Sequence, residues 1–241
     1  MENSVTEALI GKLVQFGLTR QEASIYLCLV RNSAVSGYEA AKMTGISRSN
    51  VYSALAGLVD KGAAYLLEGE TNKYTAAAPK DFCSNKIRSL EKLMRELVTD
   101  MPKLSSCCEG YITISTPRHI MDKIYNMLEA VRYRVYISLP LDYLDELRQP
   151  LESLIKRGKK VVLLISEPLE KELSGATVYV TGKNDRQLRL IVDSEFVLTG
   201  EMTGAETDSA LYCAQKNFVN VFKDSLRNEI KLIEITGRQL K

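Results

Sequence analysis

The sequence predicts an α+β protein made of more than one folded unit. Three observations support this prediction. Residues 1–78 combine amphipathic helical patterns with helix-capping signals and end in two short strand-like runs. Residues 83–101 carry apolar side chains at alternating spacings of four and three. From residue 111 onward, strand-like and helical patterns alternate, as in layered α/β structures. We therefore expect a first domain over 1–78, a helix over 79–105 and an α/β domain over 106–241.

Length and composition exclude several classes of protein. The 241 residues are 45% hydrophobic and 26% charged, which is close to the globular average and excludes disordered or low-complexity chains. There is no apolar run of about 18 residues, and the first residues lack the basic start of a secretory signal, so we expect neither a membrane span nor export. Five cysteines without metal-like spacing indicate a reducing, cytoplasmic compartment. The single histidine excludes a multi-histidine metal site, and no cofactor is expected.

Charge is spread evenly along the chain. The net charge is +2, with seven basic and seven acidic residues in 1–78 and nineteen of each in 106–241. A nucleic-acid partner must therefore be argued from local geometry, because bulk charge does not indicate one.

The first 78 residues contain a compact series of helix start and stop signals. The predicted elements are a helix over 5–16 ended by Gly17, a helix opened by a Thr19/Glu22 capping box, a helix opened by a Ser36/Glu39 capping box and ended by Gly45, a helix capped by Ser47, and strands over 63–67 and 73–77. A capping box satisfies backbone N–H groups at both its residues. Four helices, the last two forming a tight pair, followed by a hairpin predict a winged helix-turn-helix.

The second helix of such a pair can enter the major groove of DNA with its first residues at the base edges. Arginine pairs with guanine and asparagine with adenine, while serine and tyrosine reach phosphates. The candidate DNA-binding residues are Ser47, Arg48, Ser49, Asn50, Tyr52 and Ser53 in the helix, and Thr71, Asn72, Lys73 and Tyr74 in the wing. Gly57 in the same helix suggests close packing or close approach. The alternative is a winged helix used only for protein contacts, with its polar residues simply solvated.

The helix after Pro79 has the pattern of a coiled-coil seam. The seam residues are Cys83, Ile87, Leu90, Met94, Leu97 and Met101, and Pro102 ends the pattern. This heptad spacing predicts a homodimer. The alternative is one amphipathic helix packed on its own domain.

The C-terminal part alternates strands with helices. Strands are predicted over 111–115, 133–139, 159–166, 177–180, 187–192 and 196–199, and helices over 117–130, 141–157 and 215–230. This alternation predicts a layered α/β domain with some parallel pairing.

Residues 9–100 resemble the TrmB-type transcriptional regulators. The resemblance is carried by Leu13, Phe16-Gly17-Leu18-Thr19, Glu22-Ala23, Tyr26-Leu27, Gly45-Ile46-Ser47-Arg48-Ser49, Val51-Tyr52, Leu55, Leu58, Lys61-Gly62, Tyr74 and Pro79. It implies a dimeric DNA-binding repressor or activator, often controlled by a small ligand. One departure is Ala63-Ala64, where the family usually has a bulkier apolar pair, and this affects packing more than function.

Residues 186–193 and 196–200 resemble the core strand pair of phospholipase D-like domains, which some TrmB-type regulators carry. The catalytic version needs His, one residue, Lys, four residues and Asp, with the histidine as nucleophile. Aligned on Asp193, Arg186 stands at the histidine position and Leu188 at the lysine position, so the resemblance implies a domain without catalysis. His119 is expected to be a polar residue at a helix start. Arg186, Arg189 and Asp193 are the candidate ligand-binding residues.

Three functions remain open from the sequence. The first is a regulator that binds a double-stranded DNA operator and responds to a small-molecule effector. The second is a phospholipase D-type phosphodiesterase fused to a DNA-binding module, which a phosphodiester hydrolysis assay would detect. The third is a general transcription-initiation factor, which a footprint confined to a palindromic site would exclude.

Cys107-Cys108 is either a redox sensor or a pair of linker thiols.

Overall fold

The computed structural model describes residues 2–102, 110–182 and 186–236. The chain divides into two compact units, residues 1–104 and 105–241. The elements of the first unit are α1 (Glu2–Gln15), α2 (Arg20–Arg31), β1 (Val35–Ser36), α3 (Gly37–Thr44), α4 (Arg48–Asp60), β2 (Ala64–Leu67), β3 (Lys73–Ala76) and α5 (Pro79–Asp100). The strands form a small antiparallel sheet in the order β1-β3-β2. The two-residue strand β1 was not predicted from the sequence.

Local capping chemistry sets the helix boundaries of this unit. In the Thr19 box, the Glu22 backbone N–H donates to Thr19 Oγ1 at 3.2 Å and the Thr19 N–H donates to the Glu22 carboxylate at 2.6 Å. The Ser36/Glu39 box makes the same reciprocal pair. Both predicted boxes are confirmed. The side-chain cap predicted at Ser47 is wrong, because its hydroxyl makes no cap bond and lies 3.5 Å from the hydroxyl of Ser49.

The second unit is built on one seven-stranded sheet. Its elements are β4 (Ile112–Ser115), α6 (Pro117–Glu129), β5 (Arg134–Ser138), α7 (Leu141–Lys156), β6 (Lys160–Ile165), β7 (Thr177–Val180), β8 (Gln187–Val192), β9 (Phe196–Glu201), β10 (Ser209–Cys213) and α8 (Lys216–Thr236). The strand order is β4-β10-β9-β8-β5-β6-β7. Strands β5, β6 and β7 pair in parallel and the remaining neighbours are antiparallel. The mixed α+β fold class is therefore confirmed, while β10 was not predicted.

Helices cover both faces of this sheet, because successive side chains of a strand point to opposite faces. Helices α6 and α7 pack in one apolar core with Ile137, Leu163 and Leu190. Helix α8 packs in a second core with Val162 and Ile191. Of the candidate ligand residues, Arg189 therefore lies within β8, in the middle layer of a three-layer structure, while Arg186 and Asp193 flank the two ends of this strand.

In the part of the chain that the structure describes, no helix is both long and apolar enough to cross a membrane.

Candidate nucleic-acid interface and effector domain

Helix α4 packs in the core through its apolar side and exposes its polar side to solvent. Val51, Leu55 and Leu58 are fully buried in the core of the first unit. The opposite face is exposed to solvent and carries Ser47, Arg48, Ser49, Asn50, Tyr52, Ser53 and Ala56. The six helix residues predicted to contact DNA thus share one accessible surface, which we call the recognition face.

Helix α3 supports the recognition face with an aromatic platform. The Arg48 guanidinium lies 4.5 Å from the centre of the Tyr38 ring, a distance suited to a cation–π contact. The Tyr52 ring lies against the start of α3, where a Cβ added to Gly37 would come within 2.5 Å of Tyr52 Cε1. Only glycine permits this approach. A cation–π contact at an exposed site contributes about 0.5–1 kcal/mol.

Gly57 is explained by contacts inside the unit. A Cβ at Gly57 would lie 2.3 Å from Glu22 Oε1, and Glu22 is held by Lys61 Nζ at 2.6 Å and by the Thr19 N–H. Burial alone would raise the pKa of the Glu22 carboxyl, but the bonds from Lys61 and Thr19 outweigh it and lower that pKa. The glycine therefore lets an ion pair join α2 to the end of α4, away from the recognition face.

The wing is the β2–β3 hairpin with its loop, and it carries little positive charge. Thr71, Asn72 and Lys73 are exposed and Tyr74 is half-buried, since Tyr74 lies in β3 opposite Val35 and Leu66. Lys73 is the only basic residue of 62–78, and the same segment carries Glu68 and Glu70. The wing can therefore offer one cation to a phosphate, together with the short polar side chains beside it.

Helix α5 begins inside the first unit and then leaves it. Phe82 is buried, with its ring 5.7 Å from that of Phe16 and 5.6 Å from that of Tyr26. From residue 84 to residue 102, every side chain except the half-buried Lys86 is exposed. The first seam residue, Cys83, is half-buried against the core of the unit, so it lies at the base of the seam.

The remainder of the predicted seam forms an exposed apolar stripe. Ile87, Leu90, Met94 and Leu97 are each about half exposed. Met101 lies just beyond the helix, at its extended C-cap. Leu93 and Val98 are also exposed and flank the seam. The stripe is therefore wider than the sequence spacing indicates, and contacts within the described residues do not cover it.

The candidate ligand residues of the second unit have separate structural partners. Arg186 donates to Asp142 at 2.9 Å and 3.2 Å and to the Met202 carbonyl at 2.9 Å. Arg189 donates to Glu229 at 2.7 Å and to the Ser138 hydroxyl at 3.2 Å. The acidic partner of Arg186, Asp142, lies at the start of α7, and that of Arg189, Glu229, lies on α8. The structure does not bring the two guanidinium groups together.

Through its carboxylate, Asp193 connects the turn after β8 to the segment at the start of β5. Its carboxylate accepts three backbone N–H groups, from Arg132, Tyr133 and Arg134, each at 2.8 Å. Its own N–H donates to the Arg134 carbonyl at 3.0 Å, and its φ of 50° lies in the left-handed region. Burial would raise the pKa of this carboxyl, but the three N–H groups and the nearby Arg132 lower it. These bonds leave the carboxylate little capacity for a ligand.

The positions that align with a phospholipase D-type motif cannot perform that chemistry. Leu188 is fully buried and apolar, and the guanidinium of Arg186 offers only hydrogen-bond donors and no nucleophile. His119 is exposed in the first turn of α6. Among the described residues, no group of His, Cys, Asp and Glu side chains is placed to hold a metal ion. Cys107 and Cys108 lie outside the described residues.

Three known proteins illustrate the similarity of the chain. It is 24% identical over 172 residues to the HTH-type sugar sensing transcriptional regulator TrmBL1 of Pyrococcus furiosus, over 66% of the chain and 48% of the relative. The chain thus spans about half the length of this relative. A solved structure of TrmBL2, described as an archaeal chromatin protein, covers 94% of the chain and 98% of its own, at 19% identity and a TM-score of 0.48. A phospholipase D family member, Nuc from Salmonella typhimurium, covers 51% of the chain and 94% of its own, at 14% identity and a TM-score of 0.41.

Two family matches together cover most of the sequence. Residues 13–80 match the family described as "Sugar-specific transcriptional regulator TrmB". Residues 111–228 match "Transcriptional regulator TrmB, EBD N-terminal subdomain". The first match contains α4 and the wing, and the second contains almost all of the seven-stranded sheet and its helices. The chain therefore belongs to the TrmB family of transcriptional regulators.

Proposed function

We propose that the chain is a homodimer that binds double-stranded DNA through the recognition face of α4 and the wing, and that a small ligand on the second unit controls its affinity for DNA. The observation that carries this proposal is the recognition face itself. Its apolar side is locked in the core, while a run of base-reading and phosphate-reading side chains at its N-terminal end is open to solvent. This is the arrangement by which helix-turn-helix proteins read the major groove.

Homodimerisation is proposed on the stripe of α5. A helix of 22 residues is about 33 Å long, and its apolar stripe is exposed in one chain. Pairing two such helices removes both stripes from water and gives the winged helices a two-fold relation. Half-sites about 10 bp apart, or a multiple of that, would match such a dimer.

Ligand control is proposed on two grounds. The family description of the first match is sugar-specific, and TrmBL1 is named a sugar-sensing regulator. The second unit, residues 105–241, is also larger than a coiled-coil dimer requires. Ligand control requires different ligand affinities in the DNA-competent and incompetent states, typically by about 1–3 kcal/mol.

We further infer that the second unit has no phosphodiesterase activity. Transfer to phosphorus by the phospholipase D route needs a histidine nucleophile and a lysine at fixed spacing, and the aligned positions hold an ion-paired arginine and a buried leucine. Hydrolysis of a chromogenic phosphodiester by the purified chain should therefore not exceed the rate without protein.

The Arg48→Ala variant tests the recognition face. Operator fragments are first selected from genomic DNA of the source cell by the wild-type chain. If Arg48 reads a base, the variant should bind these fragments about 5- to 150-fold more weakly, which corresponds to about 1–3 kcal/mol. Fluorescence anisotropy at one fixed salt concentration measures the loss, because salt alone changes such affinities strongly.

Arg88→Ala is the matched control for this experiment. Arg88 is an exposed arginine on α5 whose polar contact is with Asn85 at 3.2 Å. This control should bind the operator nearly as tightly as the wild type. Equal affinity of all three proteins would mean that α4 does not read DNA through Arg48.

A further inference from the structure

A cavity of about 480 Å³ lies between α8 and the face of the sheet formed by β5, β6, β7 and β8. Its floor is apolar and contains Val162 and Ile191 of the sheet, and Leu226 of α8 faces them, all three buried. Tyr136 and Tyr179 add two aromatic rings to the lining. This volume lies within the range of sites that hold small organic molecules.

Five cations line the same cavity: Arg134, Lys160, Lys223, Arg227 and Lys231. Arg134 and Lys160 open the adjacent parallel strands β5 and β6 and are direct partners in their register. The other three follow one another at intervals of four along α8, which places them on one face of the helix. Strands β5 and β6 and helix α8 therefore place positively charged side chains around the same cavity.

Carboxylates of the described residues offset only part of this charge, because the lining holds five cations and one carboxylate, Glu234. Asp224 lies 3.2 Å from Arg227, in a pair exposed to solvent. Glu234 lines the cavity but accepts the Tyr179 hydroxyl at 2.9 Å. Asp193, behind Arg134, is already engaged by three backbone N–H groups. Arg134, Lys160, Lys223 and Lys231 form no ion pair in the part of the chain that the structure describes.

Such an arrangement is unfavourable without a counter-charge. Like charges on directly paired strand positions repel each other, and so do like charges four residues apart on a helix. A ligand with at least two negative charges would attract several of these cations at once and outweigh the repulsion between them. The apolar floor and the tyrosine rings would at the same time bury an uncharged ring, which free inorganic phosphate does not possess.

We propose that this cavity, which we call the α8 cavity, binds a small organic phosphate whose ring rests on the apolar floor. The inference rests on the proposed ligand control and assigns it a site and a ligand chemistry. The α8 cavity involves neither the Arg186–Asp142 pair nor the Arg189–Glu229 pair. A DNA duplex is a poorer occupant, since a rod of that width does not fit into a cavity of about 480 Å³.

Three probes separate the parts of the proposal in calorimetric titrations of the full chain at matched ionic strength. AMP carries a phosphate and a ring, pyrophosphate carries charge without a ring, and adenosine carries a ring without charge. AMP and pyrophosphate should bind and adenosine should not. Arg134→Gln combined with Lys160→Gln should weaken AMP binding at least tenfold.

The control variant is Arg118→Gln combined with Lys156→Gln, which also removes one arginine and one lysine. Both are exposed residues of the same unit outside the α8 cavity, and this variant should bind AMP like the wild type. Without ligand, the Arg134/Lys160 variant should melt at the wild-type temperature or above, because a repulsion is removed. A lower melting temperature than that of the control variant would mean that the cations are satisfied within the protein, and the proposal would be wrong.

The remaining outcomes are equally decisive. The proposed site is overturned if neither AMP nor pyrophosphate binds. It is also overturned if the Arg134/Lys160 variant binds AMP as tightly as the wild type does. If pyrophosphate binds and AMP does not, the proposal that the ligand carries an organic ring is wrong. If AMP binds in the α8 cavity without changing operator affinity, the binding site stands and its role in the control of DNA affinity is overturned. If another metabolite changes operator affinity equally in the wild type and the Arg134/Lys160 variant, ligand control stands and this site fails.

Discussion

Replacing Leu90 and Leu97 together with aspartate is expected to convert the protein into monomers. Both side chains are about half exposed in a single chain, so the substitutions cost the monomer little beyond helix propensity, about 0.7 kcal/mol or less per residue. In a paired helix, the same positions would bury two carboxylates against the apolar stripe of the partner, which is strongly unfavourable. Sedimentation velocity should show the mass of one chain, where the wild type shows two.

The functional consequence should be as large as the structural one. A dimer holds its second winged helix near the second half-site, an effect that can strengthen binding by about 10²- to 10⁴-fold. The double variant should therefore lose at least about 100-fold in operator affinity although its recognition face is intact. Ser89→Asp combined with Thr99→Asp adds the same two charges to other faces of α5 and should remain dimeric. An unchanged dimer in the Leu90/Leu97 variant would move the interface to another surface, and the C-terminal sheet would be the next place to test.

The second large effect is expected at Asp193. Asp193→Ala removes the acceptor of three backbone N–H groups and places alanine at a φ of 50°, a conformation that Asp adopts more readily because its side chain can hydrogen-bond locally. We expect the second unit to lose about 2–4 kcal/mol of unfolding free energy, given that hydrogen bonds to charged groups contribute about 1.5–3 kcal/mol each and that water replaces part of the loss. Thermal and urea unfolding of the full chain measure the change.

Hydrogen exchange locates the effect of this substitution. The amides of Arg132, Tyr133 and Arg134 should lose protection first, because they lose their acceptor. Asp193→Asn keeps one acceptor oxygen and a residue type that tolerates positive φ, so it should cost less than the alanine. Asp122→Ala removes an exposed carboxylate of α6 and should leave stability nearly unchanged. Full protection of the three amides in Asp193→Ala would contradict the role of the Asp193 carboxylate as their hydrogen-bond acceptor.

The Asp193 contribution should also depend on pH in a defined direction. Its pKa in the folded protein is lowered, so its stabilisation is present above the pKa of the unfolded chain, about 3.9. The stabilisation is lost as the pH falls through the folded value. The stability difference between the wild type and Asp193→Asn should therefore be constant near neutral pH and shrink below about pH 4.

Local signals in the sequence were sufficient for much of the fold. The Thr19 and Ser36 boxes each involve residues three apart, so the sequence contains all the groups that form them. Strand β10 was missed because its five residues follow a polar loop and show no clear alternation. Ser47 was expected to act as a side-chain cap on residue type alone, but whether a hydroxyl faces the helix amides depends on its rotamer.

The candidate sites were harder to predict where the partners are distant or lie in the backbone. Asp193 was assigned to ligand binding by alignment, but its partners are N–H groups about sixty residues away, which leave no trace in side-chain identity. The α8 cavity was missed for a related reason. Arg134 and Lys160 become neighbours only through parallel pairing, and they meet Lys223 only once α8 packs on the sheet. The recognition face was accessible to sequence reasoning because its residues are consecutive on one helix.

The central claim is sequence-specific DNA reading by a dimer through α4, and a nuclease footprint tests it most directly. The full chain is bound to fragments selected from its own genome, alongside a variant that carries Arg48→Ala and Asn50→Ala. The account predicts two protected half-sites with centres about 10 bp apart, or a multiple of that, and loss of this pattern in the variant. Uniform protection without preferred sites, or the same footprint with both proteins, would contradict it.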